Sequence, residues 1–265
     1  MQSEMIQVQG LTFTYPNGTN VFDAFSWTVE RGEAWAVIGS SGCGKTTLLY
    51  LLAGLRQPTA GQVLIDGQQL TRPRPRTGLI LQEYGLLPWA TVRDNATLGL
   101  RIRSFYGPDG VHTPADERLG DKGDRVERWL ARLGIDHVAN QYPHQISGGQ
   151  RQRTAIARTL VLRPDLLLMD EPFGALDALT REDLQNLTLE LRAEQHLTTV
   201  IVTHSIEEAV FMGEKILVLG PPPNRDAAIV HNPQAGGASY RQQDGFFARC
   251  NELRDLMGED VNEMA

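Results

Sequence analysis

The chain has 265 residues, 41% of them hydrophobic and 22% charged, with 25 basic against 32 acidic side chains and a formal net charge of −7. That length suits one sizeable core, or a core with a satellite subdomain, and the acidic balance gives the chain as a whole no electrostatic reason to bind nucleic acid. No apolar run reaches the ~18 residues that a membrane-crossing helix requires, Met1-Gln2-Ser3-Glu4-Met5 lacks the basic and apolar regions of a leader, and Cys43 and Cys250 make neither a disulfide framework nor a zinc spacing, so a cytosolic protein is expected, one that reaches a membrane only through a partner.

Leu11, Phe13 and Tyr15 share one face, and Phe25, Trp27 and Val29 share another, with Pro16-Asn17-Gly18 between them. That pattern predicts a strand pair joined by a loop. The apolar run Ala34–Ile38 then feeds into Gly39, Ser40, Ser41, Gly42, Cys43, Gly44, Lys45, Thr46 and Thr47, and a helix is predicted over Thr46–Leu55. Gly39–Thr46 fits G-x-x-x-x-G-K-[ST] in the strand–loop–helix context that this phosphate-binding motif requires. Its successive backbone N–H groups form an anion cradle at a helix N-terminus. Lys45 suits the β and γ phosphates of a nucleotide, and the Thr46 hydroxyl suits Mg²⁺. Cys43 lies within the cradle, where it is either a thiol activated by the helix terminus or a small residue that fits the loop.

Further short apolar runs at Gly78–Leu81, Leu166–Met169, Thr198–Val202 and Lys215–Leu219 read as buried strands of a largely parallel sheet. Gln82 and His204 follow two of these strands, and Asp170 and Glu171 end a third, which places all four at carboxyl ends, where such sheets bind ligands. Asp170 suits Mg²⁺ held through water, and Glu171 suits orienting or deprotonating an attacking water. Gln82 can contact the metal or that water, and His204 can bridge the γ-phosphate and the catalytic carboxylate.

Between Gln82 and Ser147 the character changes: Val126, Leu130 and Leu133 fall at helical spacing, and Ala96–Ile102 is ambiguous between strand and helix. A mainly helical subdomain inserted at about 85–160 is expected. Within it Phe105–Gly123, polar and rich in Gly, Pro and Asp, reads as a surface excursion. Ser147-Gly148-Gly149 precedes a predicted helix over Gln150–Leu162. It is either an N-cap or an anion site for a phosphate held by another subunit. After Gly220, Pro221-Pro222-Pro223 opens a tail over 221–265, in which Phe246, Cys250, Leu253 and Met257 fall at the spacing of an amphipathic helix.

Over residues 5–220 these motifs resemble the ATP-binding subunits of ABC transporters. Gly39–Thr46 matches the Walker A element, Gln82 the Q-loop, Leu166–Glu171 Walker B, Ala175-Leu176-Asp177 the D-loop and His204 the switch histidine. Ile146–Gln150 matches the signature, with Ile where Leu is commonest. The resemblance implies an α/β fold: a P-loop NTPase sheet domain with an N-terminal antiparallel β subdomain and an inserted helical subdomain. It implies that Tyr15 stacks on adenine, where packing on the core is the alternative reading of a strand aromatic. It also implies that two copies sandwich ATP and Mg²⁺, with Ser147, Gly148, Gly149, Gln150 and Asp177 completing the partner's site. Closure of that pair then pulls on a separate membrane permease, served by a substrate-binding protein, at the cytoplasmic face of the inner membrane, and hydrolysis through Glu171 reopens it.

Leu86-Leu87-Pro88-Trp89, followed by Thr91-Val92 and Asn95, resembles the nitrate, sulfonate and taurine importer group. Leu87 and Trp89 are then either apolar anchors for the permease or core residues. The 105–123 segment is longer than that group leads one to expect, which keeps importers of pyrimidine precursors as an alternative. A non-transport ATPase of the same superfamily is the other; the short spacing from Lys45 to Ser147 and the lack of a sustained heptad speak against it.

Overall fold

A computed structural model of the chain describes residues 3–117, 122–237 and 239–262. The chain forms two compact units, one of Met1–Pro73 with Leu189–Ala265 and one of Arg74–Thr188.

The first unit opens with β1 (Glu4–Thr14) and β2 (Asn20–Glu30), an antiparallel pair. Along β2, Phe25, Trp27 and Val29 are buried while Ala24, Ser26 and Thr28 are exposed, the period of a sheet with one wet face. In β3 (Ala34–Gly39) every residue is buried, as a strand covered on both faces requires. Helix α1 (Lys45–Leu52) follows. It stops short of Leu55 because Gly54 turns left-handed at φ +72, where a side chain would lie 2.5 Å from the Arg72 carbonyl oxygen. Strands β4 (Ala60–Ile65) and β5 (Gln68–Gln69) complete a sheet of order β2-β1-β4-β5.

The second unit contains β6 (Thr77–Ile80), α2 (Val92–Tyr106), α3 (Lys122–Arg132), α4 (Gly148–Leu160) and β7 (Leu166–Asp170), with β6 and β7 parallel. The ambiguous stretch Ala96–Ile102 is helical within α2, which Thr91 caps through the Asp94 N–H. Helices α2 and α3 both pack on α4, and α4 packs on β6.

The segment after α2 is less exposed than its composition suggests. Thr113 and Pro114 are buried, the Thr113 hydroxyl donates to Arg103 O at 3.1 Å, and the rings of Tyr106 and His112 stack at 3.7 Å. Glu117, its side chain only 8% exposed, ties two buried arginines: Arg103 at 2.6 Å and Arg125 at 3.0 Å. Charges that read as a surface are here paired inside; residues 118–121 lie outside the described residues.

Helix α5 (Ala178–Gln195) carries the chain back into the first unit. There β8 (Thr198–Val202), α6 (Ile206–Met212), β9 (Lys215–Leu219) and β10 (Ala228–His231) give the order β10-β9-β3-β8. Strands β8 and β9 flank β3 in parallel, and β10 is antiparallel to β9. Helix α7 (Asp244–Asn262) packs on α6 and β9, with Phe246, Cys250 and Leu253 buried and Met257 half-buried.

Candidate functional site

β3 delivers Gly39 at its carboxyl end, and residues 40–44 turn back to start α1 at Lys45. Two of the glycines are sterically required. A side chain at Gly39 would lie 2.4 Å from Leu219 O and 2.7 Å from Cys43 Sγ. Gly44 has φ +111, and a side chain there would lie 2.5 Å from Val21 Cγ1. Ser40, Ser41, Gly42 and Thr46 are exposed, whereas Cys43, Gly44, Lys45 and Thr47 are buried, so the loop has a wet rim and a packed floor.

Helix α1 has no side-chain cap and no acid in its first turn. The partial positive charge of its N-terminus is therefore left to a ligand. Lys45 Nζ donates to Gly39 O at 2.8 Å and to Ser40 O at 3.0 Å. A cation and an uncapped helix start on one loop form a site for a polyanion.

Cys43 admits two readings, and its surroundings favour one. Its thiol is fully buried, and burial pushes its pKa up, against the smaller opposing pull of Lys45. The sulfur faces the floor under Gly39 and not the mouth of the cradle, so the activating effect of a helix terminus does not prevail. The structure supports the small residue that fits the loop.

Tyr15 is half-buried just after β1; its hydroxyl lies 2.8 Å from Thr47 Oγ1, and its ring meets Phe13 edge-on at 5.0 Å. The Arg56 guanidinium stands 4.9 Å from the centre of the same ring. His204 is exposed in the turn between β8 and α6. The parallel register Val37↔Val202 puts it level with Gly39, and Thr203 N donates to Val37 O at 3.1 Å.

The second unit repeats this geometry. The register Ile80↔Met169 puts Gln82 level with Glu171, and Gln82 Nε2 donates to Glu171 Oε2 at 3.2 Å. Asp170 is buried at the end of β7. Glu171 is half-buried with φ +43, a left-handed conformation that residues with side chains seldom adopt.

Ser147 caps α4 in a reciprocal box: its Oγ accepts from Gln150 N at 3.2 Å, and Gln150 Oε1 accepts from Ser147 N at 2.9 Å. Gly149 is packed so closely that a side chain would lie 2.7 Å from Thr180 Cγ2. Asp177 is exposed; it accepts from Thr180 N at 3.0 Å, and that backbone bond holds its carboxyl below the usual range.

Two residues outside the motifs hold this machinery. Asn95 is fully buried; it accepts from Leu87 N at 2.8 Å and donates to Leu87 O, Ala90 O and Thr91 O at 3.0–3.1 Å. It knots the loop that leaves Leu87 half-buried and Trp89 74% exposed, so Trp89 is not core. Arg158 of α4 donates to Tyr84 O at 2.7 Å and Gly85 O at 2.6 Å, the carbonyls of two consecutive left-handed residues. The sequence flags Asn95 only through its place in the Thr-Val-x-x-Asn run, and it gives no sign of Arg158.

The ABC transporter family profile matches residues 22–174. The taurine import ATP-binding protein TauB of Pelagibacter ubique is 40% identical over 227 residues, which cover 85% of this chain and 81% of that one. The aliphatic sulfonates import ATP-binding protein SsuB of Bacillus cereus is 37% identical over 221 residues, 83% of this chain and 82% of that one. A dimeric post-hydrolysis state of the ATP-binding cassette MJ0796, bound to ADP and Pi, superposes with a TM-score of 0.69 at 31% identity, over 81% of this chain and 94% of that one.

Proposed function

This chain belongs to the ABC transporter family, and we propose that it is the ATP-hydrolysing subunit of an importer for a small solute that carries a sulfonate group, of the alkanesulfonate or taurine type. Its fold is the P-loop NTPase α/β fold, and it is an ATPase coupled to transport. The observation that carries the reading is the paired strand-end geometry: Gly39 level with His204, and Gln82 bonded to Glu171.

The roles follow from the side chains. Gly39–Thr47 grips the phosphates through backbone N–H groups, with Lys45 as the cation. Tyr15 takes the adenine. Glu171 orients and deprotonates the attacking water, Gln82 holds Glu171 in place, and His204 serves the γ-phosphate. Thr46, Gln82 and Asp170 supply only oxygen donors, the set that suits Mg²⁺ rather than a softer metal. When bound, Mg²⁺ neutralises phosphate charge. Ser147–Gln150 and Asp177 act on the nucleotide of a second copy; the capping box spends the Ser147 and Gln150 N–H groups and leaves those of Gly148 and Gly149 at the helix start.

Two relatives named for taurine and sulfonate import support the class of solute. Among the described residues no helix is long and apolar enough to cross a membrane. In this reading, which rests on relatives that are import ATP-binding proteins, the subunit works on a separate permease at the cytoplasmic face of the inner membrane, as a peripheral protein, with a substrate-binding protein delivering the solute. The test is reconstitution with the permease and binding protein in liposomes. Taurine or an alkanesulfonate should raise ATP turnover and enter the vesicles, and turnover indifferent to both would refute the assigned solute class.

A further inference from the structure

After Leu219 the chain runs through Pro221-Pro222-Pro223 and reaches Asn224, which is 3% exposed. Its backbone is clamped to the start of β2: Asn224 N donates to Val21 O at 2.9 Å, and Asp23 N donates to Asn224 O at 3.0 Å. Its side chain goes further. Nδ2 donates to Cys43 O at 2.8 Å and to Val21 O at 3.3 Å. Asn224 Oδ1 has no hydrogen-bond partner among the described residues, so the amide is oriented by the two carbonyls that its nitrogen serves. Turning it over would press oxygen against oxygen.

Cys43 lies in the middle of the phosphate loop. A peptide group is planar and trans, so the C=O of Cys43 and the N–H of Gly44 point in opposite directions. Holding that carbonyl down against buried Asn224 turns the Gly44 N–H away from the packed floor. Gly44 itself is left-handed and crowded by Val21, the other residue that Asn224 holds.

We infer that Asn224 is a positioning residue of the nucleotide cradle: through the Cys43 carbonyl it aims the Gly44 N–H at the bound phosphates. This rests on the reading of Gly39–Thr47 as the phosphate grip. The nucleotide-binding domain then does not end at Gly220; the first residues of the tail are part of it.

The full-length chain supplies the test. Asn224→Ala, checked for cooperative thermal unfolding, should weaken ATP binding about tenfold, the scale of one lost buried hydrogen bond. The loss should shrink from ATP to ADP to AMP, because only the phosphate grip is affected. Asn224→Ser keeps a short donor and should recover part of the affinity. A folded Asn224→Ala that binds ATP like the wild type would overturn the inference. A wild-type measurement needs no variant. Binding and anchoring are reciprocal, so ATP with Mg²⁺ should slow amide hydrogen exchange at 224–225 together with 41–46. Protection at 41–46 with unchanged exchange at 224–225 also overturns it. Lys45→Ala separates the two ideas: normal ATP affinity in that variant defeats the cradle itself, whereas failure at Asn224 alone leaves the cradle standing.

Discussion

Gln82 Nε2 lies 3.2 Å from Glu171 Oε2, two side chains 89 positions apart in sequence that parallel pairing of their strands brings to one level. The bond fixes a carboxylate whose backbone is already held in an uncommon conformation. In the proposed reaction Glu171 is the base, and a base so constrained is oriented before any substrate arrives, which is how positioned groups accelerate proton transfer.

Glu171→Gln should therefore keep ATP binding and lose turnover by about 10²–10⁴-fold. With hydrolysis blocked, ATP and Mg²⁺ should convert the variant to a dimer by light scattering. A persistent monomer at saturating nucleotide would count against the sandwich of two copies.

Lys45→Ala removes the cation at the start of α1. Loss of a hydrogen bond to a charged group costs about 1.5–3 kcal/mol, so titration calorimetry should find ATP affinity down by about 10–150-fold. Unchanged unfolding would show that the loss belongs to the site.

Asn95→Ala removes the four hydrogen bonds that this buried amide makes to Leu87 N, Leu87 O, Ala90 O and Thr91 O. A stability loss of about 1–3 kcal/mol is expected. Basal ATP turnover of the isolated subunit should survive while stimulation by the permease falls. Equal loss of both would deny the loop a role in docking.

Both thiols should resist alkylation in the folded chain. Cys43 and Cys250 are buried, and burial raises each pKa above the ordinary 9.0. Iodoacetamide at neutral pH should label neither at an appreciable rate, with or without ATP. The sign for stability follows: a raised folded pKa favours folding while the thiol is protonated. That contribution is present below pH ~9 and is lost as the pH climbs through the raised values. Chemical denaturation followed across the alkaline range would show it.

Much of this site is legible in the chain because its signals are local. Gly39–Thr47 is a contiguous run between a strand and a helix, and Gln82, Asp170, Glu171 and His204 are each placed by the strand they follow. What stays hidden depends on partners far along the chain. Nothing near Asn224 announces that its amide serves Cys43 O, and nothing near Arg158 announces the carbonyls of Tyr84 and Gly85. Glu117 reads as surface charge because composition cannot show two arginines closing on it. Cys43 misleads for a related reason: its place in the loop shows the helix terminus but not the direction in which the sulfur points.

The chain holds four tryptophans. Trp27 and Trp35 are buried, Trp129 is half-buried, and Trp89 is exposed on the loop that Asn95 knots. The long-wavelength edge of the protein's intrinsic fluorescence therefore comes mainly from a single indole at the proposed permease contact. Docking that covers this indole moves the emission toward the blue, so the association can be followed in real time without attaching a dye or changing a residue.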